Sequence, residues 1–376
     1  MIASVPMNSI NQISALEKLL DGVAKLPWAT IAGPLVAAED ALARLDERLR
    51  SSPVREGWIA RSHVRDVVAC IWVSGELVTI EDLVLRDAGM DVRTPSAVLS
   101  KAQEILRVRR RLAGGAGASV LSREGLDALL GQTSTEYPPV ETGNPSSSAL
   151  FAGDDGLRDA LSRADVAVAE ARAVLGRIEQ SAQISRNPLV YDLDWNEGER
   201  LQSWFGTIGE FKSFPPVLSS VLALCAWDAI EPLQHQSWLG RFLAAAMLRE
   251  RDKARAHLPC LYSGLRVSGR GPRRPETFLA AIQGEIKAVE AAARDGLKEH
   301  DRLMLARLQF DQRLKGRRST SRLPELVEFV LETPLISTAL VARKLRVSQR
   351  AAQDLILGLG LRELTGRERY RAWGIV

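Results

Sequence analysis

Residues Ala342–Leu355 read ARKLRVSQRAAQDL, two short helical segments separated by a tight corner. A helix-turn-helix buries residues of its first helix, places an apolar residue at the corner, and buries residues three apart on its second helix. The positions that satisfy this spacing are Val341, Ala342, Leu345, Val347, Ala352 and Leu355. Ser348 is of the residue type that caps a helix N-terminus. The stretch therefore predicts a helix-turn-helix whose second helix starts after Ser348.

The second helix of this motif is predicted to present a polar face to solvent. The residues predicted to contact DNA from it are Ser348, Gln349, Arg350 and Gln353. Such side chains bond base edges or phosphates. Asp354 beside them argues against DNA contact, because an acid repels phosphate unless it meets a cytosine amino group. Arg346 stands at the corner where glycine is usual, and a left-handed backbone would be strained there.

The stretch that follows, LRELTGRERYRAWGIV (361–376), predicts a strand, a turn at TGR and a second strand. Gly366 can adopt the positive φ of a tight hairpin. A hairpin here completes a winged helix-turn-helix. The arginines of the predicted wing, placed to touch the DNA backbone or minor groove, are Arg362, Arg367, Arg369 and Arg371. The alternative is a winged helix that serves dimerisation or domain packing.

Positive charge is concentrated at this end of the chain. The net charge of +4 over 376 residues is too small to diagnose a nucleic-acid binder. Residues 316–376, however, carry eleven Lys and Arg against six Asp and Glu, so the rest of the chain is nearly balanced. A local basic excess favours binding to a polyphosphate. Basic surface helices that only confer solubility are the alternative.

The composition predicts a mainly α protein with several regions. Hydrophobic residues make up 46% and charged residues 26%, and Val and Ile rarely alternate with polar residues. We predict an N-terminal helical region (1–112), a flexible Gly/Ser/Pro-rich linker (113–156), a helical core (157–315) and the winged helix-turn-helix (316–376). Within the linker, one short helix is predicted at Arg123–Leu130.

The remaining residues predict neither a metal nor a cofactor. The four histidines are widely separated and show no metal-ligand spacing, and the chain has no phosphate-binding loop or nucleophile elbow. The three cysteines are also far apart, as expected for reduced thiols. The N-terminus does not resemble a signal peptide, and no apolar run approaches the roughly 20 residues of a membrane span. We therefore expect a cytoplasmic protein with no membrane partner.

The segment WDAIEPLQHQSWLGRFLAAAML (227–248) resembles the signature region of Fic-type proteins, which carry HPFxxGNGRxxR before an apolar helix. In that family the His is the catalytic base, and the Gly/Asn-rich turn cradles nucleotide phosphates. Pro232 and Leu233 match the Pro and Phe of the motif, and Gly240 with Arg241 matches its Gly–Arg pair. The resemblance implies a Fic-like helical core over 157–315.

The same resemblance implies that the core is catalytically degenerate. Glu231 stands at the position of the catalytic His, and His235 stands at the acidic, metal-contacting position. Gln236, Ser237 and Trp238 replace the flexible turn, where an indole would fill the phosphate site. The stretch CIWVSGE (70–76) is similar to the inhibitory helix end that accompanies many Fic domains, with Ser in place of the inhibitory Glu.

The whole chain also resembles a family from alpha-proteobacterial genomes and plasmids that pairs a domain of unknown function with a C-terminal helix-turn-helix. The segments that carry this resemblance are Ile80–Leu85 and Glu363–Ile375. The resemblance covers nearly all of the chain and names no substrate or regulated target.

Together these patterns predict a DNA-binding protein, a transcriptional or plasmid-related regulator, and not an enzyme. We expect a homodimer, because one recognition helix rarely supplies enough specific contact alone. The Fic-like core would sense an unidentified small ligand or protein partner, or mediate dimerisation. The alternatives are a nucleotidyl-transferring Fic-like enzyme with a rearranged active site and a purely structural interaction protein.

Overall fold

The structure is a computed structural model that describes residues 7–89, 94–114, 120–131, 195–269, 277–315, 322–365 and 371–375. In this part of the chain it shows fourteen α-helices and three short β-strands. The prediction of a mainly α protein with a small β-hairpin after a helix-turn-helix is therefore confirmed.

The first half of the described chain forms α1 (Met7–Ala24), α2 (Trp28–Arg50), α3 (Arg55–Val73), α4 (Ile80–Asp87), α5 (Ala97–Gly114) and α6 (Arg123–Gly131). Next come α7 (Glu197–Glu210), α8 (Pro216–Ile230), α9 (Leu239–Glu250), α10 (Leu261–Val267) and the long α11 (Phe278–Leu314). The C-terminal region contains α12 (Leu323–Glu332), β1 (Ile336–Ser337), α13 (Thr338–Leu345), α14 (Gln349–Leu359), β2 (Arg362–Glu363) and β3 (Ala372–Gly374).

The amphipathic pattern of α2 shows why these segments are helical. Its apolar residues recur at helical spacing and are buried, at Ile31, Leu35, Ala38, Leu42, Leu45 and Leu49. Helix α2 begins at Trp28, so Pro34 lies inside it. A proline inside a helix removes one backbone hydrogen bond. The buried stripe runs continuously through Ile31 and Leu35, on both sides of the proline, and this burial offsets the loss.

The helices before and after the long undescribed stretch share one hydrophobic core. Helix α11 packs along α2 and α10, and α3 packs against α5 and α10. Helix α8 is apolar on all sides and correspondingly buried. Trp227 of α8 meets Trp204 of α7 edge to face, with ring centroids 5.1 Å apart. The four sequence regions that we predicted therefore contribute helices to a common core, and their boundaries stay a prediction.

The predicted linker can be checked only at one place. Helix α6 (Arg123–Gly131) confirms the short helix expected at Arg123–Leu130. Residues 115–119 and 132–156 of the linker, and residues 157–194 of the predicted core, lie outside the described residues.

The three strands form a small antiparallel sheet in the order β1-β3-β2. Ile336 of β1 and Glu363 of β2 both pair with Trp373 of β3, whose indole is buried. The β2–β3 hairpin was expected, whereas β1 was not. Its two residues are too few to show the alternation that marks a strand in a sequence.

Candidate nucleic-acid interface

Local hydrogen bonds build the helix-turn-helix. Ser337 caps α13 by accepting a hydrogen bond from the amide of Leu340 at 3.2 Å. Ser348 caps α14 in the same way by accepting from the amide of Ala351, also at 3.2 Å. Between the helices, Val347 N–H donates to the carbonyl of Ala342 at 3.0 Å. Both caps satisfy amides that a helix start leaves open, so the corner is fixed by its own sequence.

The corner residue Arg346 adopts the left-handed conformation, with φ 54° and ψ 48°. A left-handed residue is the common way to end a helix, and glycine usually fills it because a side chain is strained there. The Arg346 side chain is exposed. The sequence therefore tolerates a local cost of about 1–2 kcal/mol at this corner.

The two helices pack through a slightly different set of residues from the one expected. Val341, Leu345 and Ala352 are buried as predicted. Leu355 is only half-buried, and the second helix instead buries Ile356 and Leu359. These positions follow Ala352 by one and two helical turns, so the buried face of α14 is rotated by about one residue from the predicted one.

The polar start of α14 faces solvent as predicted. Gln349, Arg350 and Gln353 are all exposed, and Gln353 lies one turn after Gln349 on the same face. Asp354 is exposed one turn after Arg350. No ion pair joins these two described residues, so neither charge is neutralised by the other. Ser348 is exposed as well, and its hydroxyl oxygen already accepts the capping bond.

The wing is described in part. Arg362 on β2 is exposed. Arg371 donates from Nε to Oε2 of Glu363 at 2.9 Å, and its guanidinium carbon lies 5.3 Å from the centre of the Trp373 ring. The hydrogen bond from Arg371 lowers the pKa of the Glu363 carboxyl. Arg371 is thus paired within the wing, while Arg367 and Arg369 lie outside the described residues.

Arg61 of α3 holds the winged helix-turn-helix to the helical body. Its buried guanidinium donates to four carbonyl oxygens at 2.7–2.9 Å, those of Gly57, Val330, Leu331 and Thr333. Burial lowers the pKa of Arg61 to about 10, which leaves it charged at neutral pH. A Cβ at Gly57 would lie 1.8 Å from the Leu331 carbonyl oxygen, so only glycine allows this approach. The end of α12 is therefore fixed on α3.

Helix α11 attaches to the same module at two further points. Arg313 donates to the carbonyl of Leu359 at the end of α14, at 2.6 Å. Arg302 donates to the carbonyl of Ile375 after β3, at 3.0 Å. We did not identify Arg61, Arg302 or Arg313 from the sequence. Each donates a hydrogen bond to a carbonyl far away in the chain, and a local sequence pattern does not predict such a partner.

The segment that resembles the Fic signature does not bring its four predicted site residues into one open site. Glu231 ends α8 in the left-handed conformation, with φ 48°, and both it and His235 are exposed. Gly240 and Arg241 are instead buried in the first turn of α9. A Cβ at Gly240 would lie 2.3 Å from Cδ1 of Trp227. This glycine therefore permits close packing of α9 on α8.

Arg241 is engaged by an internal carboxylate. Its Nη2 lies 3.1 Å from Oε1 of Glu285, and its guanidinium carbon lies 5.3 Å from the centre of the Tyr262 ring. Burial opposes the charge, but the Glu285 carboxylate raises the pKa of Arg241 above its usual value. The buried Trp238 occupies the end of the preceding loop, and its carbonyl accepts a hydrogen bond from the Tyr262 hydroxyl at 2.8 Å. These groups satisfy one another inside the protein.

Two of the three cysteine thiols, those of Cys70 and Cys260, are not activated. Burial raises the pKa of the Cys260 thiol to about 11 and that of Cys70 to about 12, so neither forms a thiolate at neutral pH. Across the described ranges, no group of three or more His, Cys, Asp or Glu residues is placed to hold a metal ion. No helix in that part of the chain has the length and apolarity needed to cross a membrane.

Comparison with known proteins identifies two regions. Residues 323–376 match the family described as "HTH DNA binding domain", and residues 189–315 match "Protein of unknown function (DUF1612)". The chain is 42% identical over 381 residues to the "Uncharacterized protein y4cF" of Sinorhizobium fredii, an alpha-proteobacterium, with 94% of this chain and 99% of the relative covered. The chain therefore belongs to the same family as that protein, and it carries a C-terminal helix-turn-helix DNA-binding domain.

Proposed function

We propose that this chain, as a member of a family that joins a DUF1612 region to a helix-turn-helix DNA-binding domain, is a cytoplasmic, sequence-specific regulator of transcription or plasmid maintenance. The observation that supports this most directly is the exposed polar start of α14 on a module fixed to the body by Arg61, Arg302 and Arg313. A rigidly held recognition helix keeps its side chains in register with base edges.

In this proposal the first turn of α14 enters the major groove. Gln349, Arg350 and Gln353 read base edges, since Arg pairs with guanine and Gln with adenine in two-point contacts. Ser348 and the open amides of the helix start hold a backbone phosphate. The wing contacts the adjacent backbone or minor groove through Arg362, Arg367, Arg369 and Arg371. Among these, Arg371 must exchange its Glu363 partner for phosphate.

The functional unit in this proposal is a homodimer. One recognition helix contacts only a few base pairs, and two-fold dimers extend the site to half-sites spaced by about one helical turn, roughly 34 Å. The specificity needed to find one site in a genome then comes from two copies of the same contact.

The body is proposed to be a degenerate Fic-like core that senses a partner or mediates dimerisation. The burial of Gly240 and Arg241, and the pairing of Arg241 with Glu285, support loss of the phosphate site. The alternative is nucleotidyl transfer by a rearranged site. Incubation with labelled ATP distinguishes them: we expect no transfer, and transfer that Glu231→Ala or His235→Ala abolishes would favour the enzyme.

Salt-dependent binding of duplex DNA by the full chain tests the proposed function. In fluorescence anisotropy with a mixed-sequence duplex, we expect the logarithm of the binding constant to fall linearly with the logarithm of salt concentration. Arg362→Ala should weaken binding to all sequences and reduce the slope by about 1. Absence of salt-dependent binding to any duplex would instead support a purely structural interaction protein.

A further inference from the structure

A cavity of about 580 Å³ lies between the helical body and the helix-turn-helix. Val64 of α3 and Val84 of α4 line its body side, and Leu335 and Leu340 line the opposite side. These walls are apolar. The volume falls within the range of roughly 300–1,000 Å³ that small-molecule sites occupy.

The rim of this cavity carries three cations from one short segment. Arg343, Lys344 and Arg346 come from the last turn of α13 and the corner after it. Among the residues that the structure describes, Arg343 and Arg346 make no ion pair, and Lys344 only lies 5.7 Å from the centre of the Phe329 ring. The negative end of the helix dipole favours cations here. The dipole does not explain why these three cations surround an apolar cavity.

The body side of the rim adds no uncompensated acid. Asp87 of α4 also lines the cavity, but Arg110 binds it with two hydrogen bonds of 2.8 and 2.7 Å. The site therefore combines an apolar interior with a net positive rim. A ligand that complements it has an apolar part and an anionic group.

The position of the cavity links it to the DNA-binding helix. Arg61 fixes the end of α12 on α3, whereas α13 faces α3 and α4 across the cavity. Arg346 lines the cavity and is also the corner from which α14 starts. A molecule in the cavity would contact the fixed body on one side and the base of the recognition helix on the other.

We propose that this cavity binds a small amphipathic organic anion, an apolar group bearing a carboxylate, sulfonate or phosphate, and that its occupancy changes the affinity for DNA. The effect on DNA affinity rests on the proposed function, whereas the binding of the anion does not. DNA itself does not fit this description, because a duplex has no apolar group of this size to place between α3, α4 and α13. A ligand that contacts both the body and α13 changes the affinity for DNA if it binds the free and DNA-bound proteins with different affinities, and DNA then changes ligand affinity by the same factor.

Anilinonaphthalene sulfonate is a suitable probe, because it joins an aromatic body to one anionic group and fluoresces when bound. Titration of the full chain should show one site per chain. Arg343→Gln with Arg346→Gln should weaken binding about tenfold or more, as expected for lost charge-assisted hydrogen bonds. Ala60→Trp should also abolish binding, because it fills the cavity from α3 and keeps the charges. Phenylnaphthylamine, which lacks the sulfonate, should bind much more weakly.

A matched variant controls for charge. Arg44→Gln with Arg294→Gln removes two exposed arginines from α2 and α11, outside the cavity, and should bind the probe as the unmodified chain does. Circular dichroism checks that each variant is folded. Unchanged probe affinity in both the arginine variant and Ala60→Trp would overturn the site, and so would equal binding of the neutral probe.

The coupling to DNA is measured separately. Anisotropy of a labelled duplex is recorded with and without saturating probe, and we expect a shift in DNA affinity that Ala60→Trp removes. Identical DNA affinity with and without bound probe would overturn the coupling and leave the site. If no duplex binds under any condition, the proposed function and the coupling fail, and the probe titrations still decide the site.

Discussion

Arg346 ends α13 in a conformation that glycine adopts without strain. Replacing it with glycine should therefore raise the free energy of unfolding by about 1 kcal/mol, less any entropy that glycine adds to the unfolded chain. Urea unfolding of Arg346→Gly and of the unmodified chain measures this difference. The same substitution at Arg343, which lies within α13, is the control and should be destabilising. A loss of stability in Arg346→Gly would show that the side chain makes a contribution larger than the strain.

The buried pair of Arg241 and Glu285 gives a second prediction at this scale. Arg241→Ala should lower the free energy of unfolding by about 3–5 kcal/mol, because Glu285 is left as a buried, uncompensated carboxylate. Arg241→Met with Glu285→Leu should recover most of this loss, since apolar residues of similar size can replace a buried pair. Urea unfolding separates the three proteins. An Arg241→Ala variant as stable as the unmodified chain would argue against a structural role for this pair.

His63 predicts how stability depends on pH. Burial, and then the nearby Arg109, lowers the pKa of His63 from 6.5 to about 2. Below about pH 6.5 the unfolded histidine binds a proton that the folded one does not, so stability falls as pH falls. Each such histidine contributes about 1.4 kcal/mol per pH unit below that point. Burial also lowers the pKa of His257, which adds to the effect.

The measurement is the free energy of unfolding between about pH 7 and about pH 5. In His63→Gln, the free energy of unfolding should fall less steeply with decreasing pH. The slope should differ from that of the unmodified chain by about 1.4 kcal/mol per pH unit, which corresponds to one proton. An identical decline in the two proteins would mean that His63 is protonated in the folded state.

Local features of single residues were the most predictable. Ser348 as a helix cap and Arg346 as a strained corner were both recognisable, because their partners lie within four residues. Three of the four carbonyl partners of Arg61 are more than 260 residues away, so its role depends on a fold that the sequence does not display.

At the scale of elements, the attachment of α12 to α3 depends on Arg61. Arg61→Ala should lower the free energy of unfolding by about 3 kcal/mol or more, because several buried carbonyls lose their donor. In Arg61→Ala, amide exchange in α12 should be faster than in the unmodified chain, and exchange in α8 should change less. Arg55→Ala removes two hydrogen bonds to the carbonyl of Ala256 and an exposed ion pair with Glu56, so it is the matched control and should cost less. Unchanged exchange in α12 would contradict the role given to Arg61.

Helix periodicity predicted the existence of elements better than their limits. Helices α13 and α14 and the β2–β3 hairpin were expected where they lie. The buried face of α14 uses Ile356 and Leu359 in place of Leu355, since tertiary contacts choose among neighbouring apolar residues of one helix. The strand β1 was missed because it pairs with β3, whose partner positions are 35 or more residues away.

At the scale of the whole molecule, the sequence predicted a basic C-terminal module and a helical body. It did not predict that α2 and α3 pack with α8, α10 and α11, or that α5 packs with α9. Such packing joins segments separated by more than a hundred residues, and it cannot be predicted from composition. For the same reason, the cavity between α3, α4 and α13 could be found only in the structure.

In the proposed function, α14 reads DNA sequence. The most direct test is affinity selection of genomic fragments by the full chain, with Arg350→Ala and Gln353→Ala combined as the variant. A matched control combines Arg294→Ala and Gln309→Ala, which alter one exposed arginine and one exposed glutamine on α11. We expect the unmodified chain and the control to enrich the same short sequence, and the variant to lose this enrichment by at least about tenfold. Enrichment of the same sequence by the α14 variant, at unchanged strength, would show that α14 does not read DNA sequence.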